Sequence, residues 1–145
     1  MTSNRVLTQN CIEMTIFGNP AAKQAAKAFY NPKAKKMIKF SPTKTKDWEQ
    51  LIRSVAQDYR LEELLDCPLT VETVFYFLKP KSRSKKCIYP DRKPDHDNLE
   101  KAVFDALEGI IFTNDSRICE KRFRKFYGDP PRALKLLSDH WSKHG

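Results

Sequence analysis

Two spacings of apolar residues alternate along the chain, and the switches between them mark out its elements. Cys11-Ile12-Glu13-Met14-Thr15-Ile16-Phe17 alternates in twos and predicts a strand, stopped by Gly18-Asn19-Pro20. Between residues 46 and 59, Trp48, Leu51, Ile52, Val55 and Tyr59 form one helical stripe, with Asp47 in the first turn where it suits the dipole. Trp48 falls within that stripe, so core burial is expected of it and not base stacking. A further helical turn is expected at 61–66. The run 69–78 alternates and then becomes wholly apolar, the strongest strand of the chain; its 71–78 portion suits burial in the core or against a partner. Leu99, Val103, Ala106, Leu107 and Ile110 return to helical spacing. Residues 117–127 alternate irregularly up to Gly128-Asp129-Pro130-Pro131, and 132–137 make a last strand, expected to pair with its predecessor as a hairpin.

Residues 1–9 and 139–145 read as flexible tails. Residues 21–46 follow no clean period: lysines are mixed with Phe29, Tyr30, Met37, Ile38 and Phe40, and prolines stand at 32 and 42. This predicts a long basic arm with a short hairpin near 30–40, either tracking nucleic acid or simply mobile. The order β, basic arm, α, β, basic linker, α, β, β argues for an α+β fold: a small mixed β-sheet with helices packed on one side, one domain over 1–145.

Charge sharpens the picture. The 27 Lys and Arg outnumber the 18 Asp and Glu, for a formal charge of +9, which favours a polyanionic partner over a merely solvated surface only because of its distribution. Cations crowd into 23–46 and 79–93, and acids into 62–66 and 91–120. Cys11, Cys67, Cys87 and Cys119 form no C-x-x-C pair, so no zinc knuckle or thioredoxin-like site is supported; reduced, mostly buried thiols are expected. No apolar run approaches the ~20 residues of a membrane span, and residues 1–10 lack the apolar centre of a signal peptide. A soluble, cytoplasmic protein is the expectation.

The chemistry concentrates at Arg92-Lys93-Pro94-Asp95-His96-Asp97-Asn98-Leu99-Glu100-Lys101. Pro94 favours extended chain around it, so Asp95 is expected before the helix, with Asp97 as N-cap and Glu100 in the capping-box position. Asp97, Lys101 and Asp105 lie four apart on one helical face, and Asp115 follows shortly after. His96 is expected to point into solvent. Hard divalent cations such as Mg²⁺ take oxygen ligands and keep several waters, so two or three carboxylates suffice to hold one. With a phosphodiester as substrate, such an ion polarises a phosphoryl oxygen and activates water, and Lys101 adds charge for the transition state. Singly, each residue has a plainer reading: Asp97 as cap, Lys101 as its ion-pair partner, Asp115 in a turn. Those readings leave Asp95 and Asn98 without a task.

Residues 93–101, Phe104-Asp105-Ala106-Leu107, Asn114-Asp115-Ser116-Arg117-Ile118 and Lys125 together resemble the RusA family of Holliday junction resolvases. These are small homodimeric endodeoxyribonucleases common in phages and prophages. Gly18-x-Pro20-x-x-Lys23-Gln24 and Tyr30-x-Pro32 extend the likeness upstream. The resemblance implies Asp95, Asp97 and Asp115 as ligands of Mg²⁺, with Mn²⁺ a possible substitute, and Lys101 as the catalytic lysine. It implies Asn98 as a support of the site and Lys125 as a basic residue at the DNA face. With Lys23, Arg92 and Lys93 of the basic runs, these complete the expected DNA-binding set. A homodimer nicking opposed strands of a four-way junction, in recombination and repair, is the implied activity. Two departures stand out: the family's frequent Asp-Asp is Asn114-Asp115 here, and arginines usual after the upstream lysine are Ala25 and Ala26. Two rival readings stay open: a less selective nuclease on flaps, forks or other branched DNA, and a non-catalytic branched-DNA-binding protein.

Overall fold

The run that is apolar on both faces becomes an interior strand of the sheet. The computed structural model describes residues 6–8, 11–23, 27–33, 35–40 and 43–139. Among them the elements are β1 (Val6–Thr8), β2 (Cys11–Phe17), β3 (Lys27–Asn31), β4 (Lys36–Phe40), α1 (Thr43–Ala56), β5 (Leu69–Phe77), α2 (His96–Leu107), β6 (Ile118–Tyr127) and β7 (Arg132–Asp139). Single 3-10 turns stand at Gln57–Tyr59 and Asp115–Arg117. Five strands form a mixed sheet in the order β1-β2-β7-β5-β6, and β3 and β4 form a separate hairpin. That hairpin, paired from Lys27↔Phe40 to Asn31↔Lys36, is the one anticipated within the basic arm.

The register explains why both helices share one side. Ile16, Ala133 and Phe75 stand in one row across β2, β7 and β5, with Ile12, Leu137 and Val71 in another. The two-residue period puts these rows on one face, where they form one core with Trp48, Ile52 and Ala56 of α1 and Leu99, Val103, Ala106 and Leu107 of α2. Burial of each large side chain there contributes about 1.5–3 kcal/mol. The row between them is Met14, Lys135 and Thr73, so a fully buried lysine sits in the centre of the core face. Helix α2 ends at Leu107, and Gly109 then takes a left-handed conformation (φ 83°) open to glycine at little cost. The chain folds back, and Phe112 bridges both Leu65 and Glu108.

Several expectations are corrected. The last two strands do not form a hairpin: β7 lies between β2 and β5, antiparallel to both, while β6 runs parallel to β5 on its other side. The doubly apolar β5 is buried best between two neighbours, and residues 128–131 cross its end to allow it. Gly128 N–H donates to the Phe77 carbonyl (2.8 Å) and Gly18 N–H to that of Pro131 (3.1 Å), which fixes the crossing. The span 61–66 is not a helical turn; Leu65 N–H donates to the Ile111 carbonyl and its own carbonyl accepts from Thr113 N–H. The amino-terminal tail reading fails over 6–8, which pair as β1 with β2. The carboxy-terminal one fails at Asp139, included in β7; 140–145, like 1–5 and 9–10, lie outside the described residues. The thiols are all free, but Cys11, Cys67 and Cys87 are half-buried and Cys119 exposed, not buried as expected. No helix among the described residues is long and apolar enough to cross a membrane.

Candidate active site

The acidic motif sits where the 78–95 coil enters α2. The Lys93–Pro94 bond is cis, and Asp95 is extended (φ −72°, ψ 149°), as anticipated for a residue just before the helix. Asp95, not Asp97, is the N-cap residue: its carbonyl accepts the first helical bond from Leu99 N–H at 3.1 Å. Its carboxylate makes no capping bond, so it stays available at the rim. The capping box is absent as well, because Glu100 turns under the helix and accepts from the Lys121 ammonium at 2.9 Å. Asp97 is in the first turn, with Oδ1 2.9 Å from His96 Nε2. The His96 ring is exposed but leans on Phe123, with centroids 5.5 Å apart, so it does not point clear of its surroundings.

A chain of alternating charges runs from the core edge to this rim. Lys101 Nζ lies 3.0 Å from Asp105 Oδ1 and 3.4 Å from Asp115 Oδ2. Lys23 Nζ lies 3.3 Å from the other Asp105 oxygen and 3.0 Å from the buried Glu49. Hydrogen bonding to Asp105 raises the pKa of Lys101 above the ordinary lysine value, so it is a fixed cation and not a base at neutral pH. Burial opposes the charge on Lys23, but its bonds to Glu49 and Asp105 prevail and raise its pKa too. The fold-back after α2 delivers Asp115: Glu108 Oε1 accepts from Asp115 N–H (3.0 Å), and Asn114 caps the 3-10 turn through Ser116 N–H (2.9 Å). Asn114, standing at the family's other acidic position, thus has a turn-forming role. Asp105 and Glu49 were missed as site residues; the helical spacing of Asp105 from Lys101 signals the first, whereas Glu49 comes from another helix with no local signal.

The basic residues separate. Lys23, Lys93, Asp95 and Asn98 line one cavity of about 610 Å³ between the starting ends of α1 and α2. Arg92 lies on the other side of the loop, in a smaller apolar cavity with Tyr127, which Lys93 also borders. Lys125 is spent on the backbone: its ammonium donates to the Arg92 and Pro94 carbonyls, both at 2.9 Å. Burial lowers its pKa, with Asp95 opposing. It clamps the loop that presents Asp95.

For a divalent cation the donor chemistry fits: Asp95, Asp97 and Asp115 supply only hard oxygens. The side chains as they stand do not converge. Among the described residues no three acidic, histidine or cysteine groups lie together as a metal site, because Asp97 turns to His96 and Lys101 neutralises Asp115.

Fold and rim together define a class: an α+β domain, basic as a whole, that holds carboxylates and lysines side by side at a helix entrance. The family model for the endodeoxyribonuclease RusA matches residues 18–134, and the chain belongs to that family, whose members are endodeoxyribonucleases acting on Holliday junctions. The chain is also 31% identical over 140 residues, covering 90% of its length and 97% of the other, to the uncharacterized protein YqaN of Bacillus subtilis (strain 168).

Proposed function

We propose that the protein is a metal-dependent endonuclease that resolves four-way DNA junctions by paired nicking, as a homodimer. The observation that carries this reading is the Lys101 ammonium held between Asp105 and Asp115, one helical turn from Asp97. Asp95, Asp97 and Asp115 would hold Mg²⁺ or Mn²⁺, which supplies Lewis-acid polarisation of the phosphodiester and an activated water when bound. Asp105 holds Lys101 in place and protonated, so its cation is preset for charge that develops on the phosphoryl oxygens. Lys125 fixes the Arg92–Pro94 backbone and thereby the position of Asp95. Asn98, exposed beside Asp95, offers an amide to the DNA.

A cleavage panel of four-way, three-way, flap and linear duplex DNA, with Mg²⁺ and with chelator, tests the proposal. Four-way junctions should be nicked symmetrically, and only with metal. Asp95→Asn, Asp97→Asn and Asp115→Asn should each abolish nicking while binding persists, and Lys101→Ala should slow single-turnover cleavage by about 10²–10³. Binding without metal-dependent nicking would favour the non-catalytic reading, and equal cutting of flaps and forks the less selective one.

A further inference from the structure

The cavity beside Asp95 has features that the nicking chemistry does not use. Its lining joins apolar Pro20, Ala21 and Ala22 with the lysines Lys44 and Lys93. The wall is anchored at both helices: Lys23 N–H donates to the Asn98 carbonyl (2.8 Å), and Thr45 Oγ1 donates to the Ala22 carbonyl (2.8 Å). The cavity is therefore preformed. Lys23 is committed to Glu49 and Asp105, whereas Lys44 and Lys93 are exposed and pair with no carboxylate among the described residues.

We propose that this cavity is a nucleotide site that takes one unpaired nucleotide from the branch of a DNA junction, its base against Pro20, Ala21 and Ala22 and its phosphate at Lys44 and Lys93. The inference rests on the nuclease reading and adds to it a means of choosing branched DNA. The volume falls within the ~300–1,000 Å³ of pockets that enclose small organic ligands. Small apolar walls accept the flat face of any base without reading its edge. A base stacked in intact duplex cannot enter. Extruding it costs a few kcal/mol, least where pairing is already interrupted, and a branch point is such a place. Linear duplex bears the full cost, so the pocket favours junctions.

The test uses the full chain and four-way junctions with 2-aminopurine at single positions around the nick, reading fluorescence and cleavage in the same sample. Among the described residues no aromatic ring lines the cavity to quench the probe, so binding should brighten it severalfold at one position. Ala22→Leu, which fills the cavity, and Lys44→Glu, an exposed change that spares the core, should each remove the brightening. Each should also reduce the preference for junction over linear duplex about tenfold. Cleavage by the unaltered chain with no brightening anywhere overturns the nucleotide site and leaves the nuclease reading standing. Brightening retained in both variants also overturns it. Absence of both cleavage and junction preference in the unaltered chain overturns the nuclease reading itself.

Discussion

At the scale of single residues, the most unusual group is Lys135. It is fully buried, donates to Thr73 Oγ1 at 2.9 Å and lies 3.9 Å over the Phe104 ring. Buried lysines are rare because desolvation penalises the charge. Here burial pushes the pKa well below the ordinary 10.5, with attraction from Glu100 opposing. The unfolded chain then binds this proton more tightly than the folded one. The burial cost is present at lower pH and fades as pH rises towards 10.5, above which neither state carries the charge. Wild-type stability should therefore climb relative to Lys135→Met between about pH 8 and 10. Urea midpoints of both proteins across that range check it, and parallel pH profiles would refute it. Nothing in the strand's local pattern marks Lys135 as buried, since a single lysine among Arg132-Ala133-Leu134 and Leu136-Leu137 equally fits an exposed position.

At the scale of elements, the decisive feature is the crossing from β6 to β7 over the end of β5. Strands two places apart are separated by roughly 9–10 Å, within reach of four residues of extended chain. The crossing presses Gly128 against Tyr76: a Cβ there would stand 2.7 Å from Tyr76 Cδ1 and 3.4 Å from its Cβ. Tyr76 has little room to yield, since its ring stacks on Phe126 and carries Arg132 3.9 Å over its face. Gly128→Ala should destabilise the fold by about 1–3 kcal/mol, read as a lower urea midpoint; an unchanged midpoint would mean the crossing is loose. The same passage misled the hairpin reading. Gly-Asp-Pro-Pro ends one strand and starts another, but a turn signal says nothing about which strands pair across it.

For the whole molecule, the excess of cations predicts how DNA binding responds to salt. A protein making 6–10 phosphate contacts loses about 10³–10⁵ in affinity between 50 and 200 mM salt. Junction affinity of this chain should fall in that manner, measured by titration at several salt concentrations. A flat response would remove the basic runs from the interface. The ion pairs at the rim limit which lysines add to this salt dependence, because Lys23 is already paired with Glu49 and Asp105. Lys44 and Lys93 are better placed for phosphates.

By itself the sequence determined the β2, α1, β5 and α2 segments, the arm hairpin, the α+β class and the placing of Asp95, Asp97 and Lys101 along the start of α2. Periodicity and short spacing are local, and local order follows from residues a few places apart. Tertiary structure alone decided that β7 would enter between β2 and β5, and Asp95, not Asp97, took the N-cap place of α2. Tertiary structure alone joined Glu49, Lys23, Asp105, Lys101 and Asp115 into one chain of charges. Those outcomes depend on which buried faces pack best, a competition among distant segments that no short stretch records.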